Sequence, residues 1–214
     1  MPFVWGGAAS LDLFFPPLCY GCGHFYSSVP CLCVSHIRSE LTYHELDEGR
    51  LCVYSLFSYA HELKRFLKAI KFEAVDEVAP WVSGLFQSHL FWQTHEAFLS
   101  ADCCVSVPIH HHRRRERGFN QVDLLFSPLL TTYGKEFSAC LHRQINTPPL
   151  FSYGHKDRQR LISDAFMIDD LDLVKGQHVA LFDDILTTGT TLTECSRVLY
   201  AAGARRVTAF VLCA

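Results

Sequence analysis

Long apolar runs are missing from this 214-residue chain: none approaches the roughly 20 residues that a helix needs to span a bilayer. The N-terminal stretch MPFVWGGAASLDLFFPP also lacks the basic residues that precede the apolar core of a signal peptide, and Asp12 and Pro16 interrupt it. Neither a leader nor membrane insertion is expected, and the expected compartment is the cytoplasm. Charge is in short supply too. Charged residues make up 19% of the chain and the net charge is −3. That excludes a polybasic protein that meets nucleic acid with its whole surface; any such contact needs a local patch. The sequence has no internal repeat and no low-complexity tract. Its 49% hydrophobic content is ordinary for a globular protein and wrong for a disordered one.

Cysteine, by contrast, is plentiful, with ten residues. In a reducing compartment they do not form a disulfide framework by default. Cys52, Cys103, Cys104, Cys140, Cys195 and Cys213 are scattered, mostly in apolar surroundings, and read as small buried hydrophobes. Cys19, Cys22, Cys31 and Cys33 crowd together near the N-terminus. Cys19 and Cys22, followed by Gly23, have the spacing of a metal-binding knuckle. Tetrahedral Zn²⁺ needs two more sulfur or nitrogen ligands, and the candidates are Cys31, Cys33, His24 and His36. Residues 1–50 are rich in Cys, Gly, Pro and Ser and offer little core, so a metal would add fold stability there. The alternative is a small apolar cap with free thiols.

From residue 51 onward, strand and helix patterns alternate. LCVYSLFSY reads as a strand. AHELKRFLKAIKF reads as an amphipathic helix, with Leu63, Phe66, Leu67 and Ile70 at helical spacing. Helix continues over residues 76–99. ADCCVSVP, from Ala101, reads as a buried strand that Pro108 ends. A basic loop follows, then a helix over GFNQVDLLFSPLLTTYG stopped by Gly134, then a short strand SACLHR. Residues 144–165 read as a polar loop. HVALFDD is a buried strand, TLTECSRVLYAAGA a helix stopped near Gly203, and RRVTAFVLCA a closing strand. This alternation implies an α/β domain with a parallel sheet covered on both faces, spanning residues 51–214, behind an N-terminal module of residues 1–50.

The stretch VALFDDILTTGTTL carries the first chemical constellation. In an open parallel sheet, ligands bind beyond the carboxyl ends of the strands, and Asp183 and Asp184 stand at such an end. A helix that starts near Thr190 points its free N–H groups and positive dipole end at the same crevice. Gly189 lets the chain wrap an anion at positive φ, and the Thr hydroxyls add donors. Carboxylates repel a phosphate but accept strong hydrogen bonds from a vicinal diol. A ribose 5-phosphate satisfies both ends. An acidic strand end with a Thr-rich turn is the bland alternative, but the full order of residues is specific. The stretch resembles the phosphoribosyl-pyrophosphate (PRPP) signature of type I phosphoribosyltransferases. That resemblance implies that Asp183 and Asp184 hold the ribose diol, that Thr187, Thr188, Gly189, Thr190 and Thr191 hold the 5-phosphate, and that Mg²⁺ accompanies PRPP.

The second constellation is HHHRRRERGFNQ, from His110, with three His and four Arg in its first eight residues. Arginine forks match phosphate oxygens bidentately, so at a neighbouring strand end the cluster could meet a pyrophosphate. Consecutive histidines in a loop do not converge easily on one metal ion. A solvated loop, or a nucleic-acid contact in which Phe119 and Tyr153 stack on bases, are the other readings. The long polar segment from Leu141 carries Arg143, Lys156, Arg158 and Arg160 and has the length of a lid.

Val107-Pro108, the string Arg117-Gly118-Phe119-Asn120-Gln121, Leu141-His142-Arg143 with Thr147-Pro148, Arg160, Ala165-Phe166 and the Asp-Asp-Thr loop together resemble the ComF family of competence-associated, phosphoribosyltransferase-like proteins. The resemblance runs from about residue 10 to the C-terminus. It implies a type I phosphoribosyltransferase-like (Rossmann-like) domain, pyrophosphate contacts from Arg117 and Arg143, a role in uptake or processing of transforming DNA, and an N-terminal zinc-binding element with a second Cys-x-x-Cys knuckle. The chain departs from that last pattern with Cys33-Val34-Ser35-His36. The expected ligands of a structural zinc are therefore Cys19, Cys22, Cys33 and His36, with Cys31 as the rival to His36. Two functions follow. One is an enzyme that transfers a phosphoribosyl group from PRPP to an acceptor, with loss of pyrophosphate and no catalytic residue assignable. The other is a binding module that keeps the sugar-phosphate site and contacts single-stranded DNA or a partner such as a helicase.

Overall fold

A computed structural model describes residues 39–59, 63, 64, 67, 96–146 and 161–214. The expected zinc ligands Cys19, Cys22, Cys33 and His36, and the rival Cys31, lie outside the described residues, as do Thr147, Pro148 and Arg160.

The architecture is mixed α/β with a mostly parallel sheet. Strand β2 (Leu51–Phe57) pairs in parallel with β7 (Arg206–Cys213), which pairs in parallel with β6 (His178–Ile185), which pairs in parallel with β3 (Cys103–Ser106). On the far edge β1 (Ser39–Leu46) runs antiparallel to β2, giving the order β1-β2-β7-β6-β3. Central strands buried on both faces read as continuous apolar runs. In β6 that run is buried from His178 to Phe182, and the chain opens toward solvent only from Asp183.

The period of two in β6 divides the core. Ala180 and Phe182, with Phe210 and Leu212 of β7, pack against α1 (Glu96–Leu99) and α3 (Gln121–Thr132); Leu63 and Leu67 belong to the same cluster. Val179 and Leu181, with Ala209 and Val211, face the opposite way. They pack against α4 (Thr190–Ala201) and an antiparallel pair of short strands, β4 (Leu141–Arg143) and β5 (Phe166–Ile168). Helices therefore cover both faces of the sheet.

Three local findings differ from the sequence expectation. The basic stretch after His110 is not a loop but a helix, α2 (His111–Arg117). No residue of α2 is buried, so the apolar period that reveals most helices is absent. Its ends are made by capping instead: the His110 side chain accepts from the His112 N–H at 3.3 Å, and Gly118, at φ 80°, returns its N–H to the Arg114 carbonyl at 2.8 Å. The following helix starts at Gln121 rather than Gly118, because Gly118 closes α2 and Asn120 serves as the N-cap of α3. Third, SELTYHEL forms strand β1, where the sequence pattern predicts no regular element. Its Leu41 and Tyr43 are half-exposed, and a period-two pattern with its apolar residues outward carries little burial signal.

The connections make one end of the sheet special. After β3 the chain passes to α3 on one face, and after β6 it passes to α4 on the other. Neighbouring parallel strands whose following helices leave to opposite faces leave a crevice beyond their carboxyl ends. That crevice lies between Ser106 of β3 and Asp183 of β6.

Candidate functional site

Among the described residues, three chain segments meet at this crevice: the loop after β6, the end of β4 and the start of α3. The first is the loop after β6. Gly189 takes φ 74° and ψ −5° and is the residue immediately before α4. A β-carbon there would lie 2.5 Å from Leu46 Cδ1, so both backbone conformation and space favour glycine. No side chain caps α4, which leaves its first backbone N–H groups for a ligand or water. Thr187 and Thr188 are exposed, Thr191 is half-buried, and Thr190 is buried with its hydroxyl 2.9 Å from that of Thr188. The expected anion residues are thus contiguous around one left-handed glycine.

The two carboxylates precede this loop, and both are partly exposed. They leave β6 on opposite faces. Asp184 faces α3 and accepts a hydrogen bond from Gln121 Nε2 at 3.0 Å on its Oδ2; its Oδ1 accepts from the Ile185 N–H at 2.7 Å. Asp183 faces α4 and the β4–β5 pair, where the Arg143 guanidinium bears on it and it in turn bears on the Cys195 thiol of α4, and its Oδ1 accepts from the Asp184 N–H at 2.8 Å. Burial raises the pKa of the Asp183 carboxyl well above the ordinary carboxylate value, and the Asp184 charge raises it further. Arg143 pulls in the other direction.

Arg143 ends β4 with its guanidinium 5.5 Å from the centre of the Phe166 ring on β5. Burial lowers its proton affinity, and the charge of Arg113 lowers it further. Arg143 is therefore brought to the Asp183 side of the crevice. Arg117 closes α2 and is half-exposed. Among the α2 residues it is Arg113 whose charge bears on Arg143.

The third segment is Asn120-Gln121. The Asn120 side chain accepts from the Val122 N–H at 3.2 Å and donates to the Val107 carbonyl at 3.1 Å and to Asp123 Oδ1 at 3.2 Å. It ties the start of α3 to the end of β3, which sets Gln121 opposite Asp184. His110, 5% exposed, stacks on His112 with ring centroids 5.3 Å apart and lies tilted against His111 at 4.1 Å. Burial lowers its pKa, with the neighbouring histidines second. Among the described residues no three His, Cys, Asp or Glu side chains converge as metal ligands.

Sequence reasoning did not give Arg113, Asn120 or Gln121 individual roles. For the last two a signal was present, because both stand in the Arg117–Gln121 string that carried the family resemblance. For Arg113 none was present: one arginine among four in a polar helix is not marked out by its neighbours.

Several known proteins are similar to this chain. The DNA utilization protein YhgH of Escherichia coli (strain K12) is 31% identical over 157 residues, covering 72% of this chain and 68% of its own. Competence protein F of Haemophilus influenzae is 27% identical over 209 residues, covering 89% and 87%. Competence protein ComFC of Bacillus subtilis is 27% identical over 167 residues, covering 74% and 62%. No protein-family model matches the chain. Among solved structures, the allosteric regulatory enzyme of purine biosynthesis superposes with a TM-score of 0.34 and 19% identity, over 52% of this chain and 22% of that one. At that level the likeness carries no argument.

Proposed function

The chain belongs to the ComF family, and on that premise we propose that it binds PRPP, through its ribose 5-phosphate end, in the crevice between β3 and β6, in the service of competence or DNA use. The observation that carries this reading is a left-handed Gly189 opening an uncapped α4, one short loop after two carboxylates at a sheet switch point. The N–H groups of the first α4 turn and the hydroxyls of Thr187, Thr188, Thr190 and Thr191 suit the 5-phosphate. Asp183 and Asp184 suit the sugar hydroxyls, and Arg143, with Arg117 and Arg113 on α2, suits the pyrophosphate. Mg²⁺ would neutralise charge on the pyrophosphate. Residues Cys19, Cys22, Cys33 and His36 would hold a structural Zn²⁺ in the N-terminal module.

Isothermal titration with PRPP and Mg²⁺ tests the site. Asp183→Asn removes a charged acceptor and is expected to weaken binding by roughly tenfold to a hundredfold. The pH dependence has a definite sign. A carboxyl whose pKa is raised by burial holds its proton above the usual carboxylate range of about 4, and a ligand that needs the ionised form must displace that proton. Affinity therefore rises with pH through the raised pKa of Asp183, beyond what the ligand phosphates contribute. Asp183→Asn is expected to retain only the ligand's own pH dependence, and an unchanged slope would sink the assignment.

Whether binding leads to transfer is read from pyrophosphate release with purine and pyrimidine acceptors. Release that requires an acceptor supports phosphoribosyl transfer. Binding without release supports the module reading, which one observation favours: Arg114 and Arg115 are exposed on α2, beside the partly exposed Phe119, a surface suited to phosphates and bases of single-stranded DNA. A salt-dependent DNA shift that survives Asp183→Asn would place that contact outside the sugar crevice.

A further inference from the structure

Gln121 is 5% exposed and yet only half of its amide is satisfied. Its Nε2 donates to Asp184 Oδ2 at 3.0 Å, while its Oε1 is buried with no hydrogen-bond partner among the described residues. The orientation follows from the chemistry. Turning the amide over would set two acceptors, the amide oxygen and the Asp184 carboxylate, against each other at that distance. A buried acceptor without a donor costs about 1–3 kcal/mol, and native structures seldom leave one unexplained. The amide sits beside Asp184, on the α3 side of β6, and a small turn of its side chain toward the crevice would let a ligand complete it.

The arrangement of the carboxylates says what kind of group that is. Asp183 and Asp184 diverge to opposite faces, and one oxygen of each already accepts a backbone N–H. On the α3 side of the strand, a sugar hydroxyl that meets Asp184 would have one further acceptor beside it, Gln121 Oε1, while Asp183 would meet its hydroxyl from the other face. Metal ions and phosphates bring no covalently fixed donor; a sugar hydroxyl does. Resting on the sugar-phosphate reading above, we propose that Gln121 is a specificity-determining residue whose Oε1 accepts a hydrogen bond from a ring hydroxyl of the ligand, so that the crevice selects a ribose phosphate over a deoxyribose phosphate.

The test is calorimetric titration of the full-length protein with ribose 5-phosphate, 2-deoxyribose 5-phosphate and 3-deoxyribose 5-phosphate, first in EDTA and then in Mg²⁺. The wild-type protein is expected to prefer ribose 5-phosphate over one of the two deoxy analogues by at least about tenfold, the worth of one buried hydrogen bond. Gln121→Met, close in volume and without an acceptor, is expected to bring that ratio to within about twofold, by weakening ribose 5-phosphate rather than by strengthening the analogue. A merely structural role would weaken all three ligands together and leave the ratio intact, which would overturn the proposal. Equal wild-type affinities overturn it without any variant, so a misfolded Gln121→Met does not rescue it. A preference seen only with Mg²⁺ overturns it as well, because the donor would then be metal-bound water. Binding of all three sugar phosphates with no preference removes this inference alone, whereas binding of none removes the sugar-phosphate site itself.

Discussion

Replacing Phe182 with alanine is expected to cost about 3–5 kcal/mol of folding stability, a large share of the 5–15 kcal/mol that a domain typically has. Phe182 is fully buried in β6. Its ring lies 5.0 Å from that of Phe126 on α3, 5.4 Å from that of Phe210 on β7, 5.5 Å from that of Phe137 beside the β3 edge and 6.4 Å from that of Phe98 on α1. One side chain thus joins β6 and β7 to α1 and α3. Truncation leaves a cavity that four aromatic rings on separate elements cannot all move to fill. The change should appear as a lower urea midpoint. Phe182→Leu, which keeps most of the volume, should lose clearly less. The consequence for function is direct, because Phe182 is the last buried residue before Asp183. A β6 that no longer packs on α3 cannot hold Asp184 against Gln121. If Phe182→Ala unfolds at the wild-type midpoint, the rings do not form the core that positions the crevice.

The same strand shows why part of the molecule was legible in the sequence and part was not. HVALFDD announces itself, since a buried parallel strand is apolar on both faces and the change to Asp183 marks where it leaves the core. The start of α4 was equally legible: Gly189 followed by good helix formers with Leu192, Cys195 and Leu199 at helical spacing leaves few other conformations. What could not be read was anything set by strand order. The Gln121–Asp184 hydrogen bond joins residues 63 positions apart, and only the neighbouring of β3 and β6 brings them together. The divergence of Asp183 and Asp184 was available in principle, since adjacent strand residues alternate. Which partner each would meet was not, because that depends on α3 and the β4–β5 pair lying on opposite faces. Helix α2 was misread for a different reason: seven polar residues on an exposed helix carry no burial pattern. Only its caps at His110 and Gly118 distinguish it from a loop.

Gly189→Val is expected to reduce affinity for a ribose 5-phosphate ligand by at least about a hundredfold while the fold survives. A β-branched residue at φ 74° is a genuine outlier and costs about 1–3 kcal/mol if the backbone is held there. The cheaper outcome is that the loop relaxes to negative φ, which turns the N–H groups at the start of α4 away from the crevice. The contact with Leu46 acts in the same sense, since a β-carbon at 2.5 Å from its methyl group forces one of the two to shift. Stability and binding effects can be separated with Gly134→Val. Gly134 has a comparable φ of 65° with nothing within 4 Å of an added β-carbon. It follows the C-terminal end of the 12-residue α3, about 18 Å along that helix from Gln121. Gly134→Val should lower the melting temperature by a few degrees and Gly189→Val, with the Leu46 contact added, by more, but only Gly189→Val should lose the ligand. Equal retention of binding by the two would mean that the Thr187–Thr191 loop does not hold the anion, because a phosphate gripped by those N–H groups cannot be indifferent to the direction in which they point.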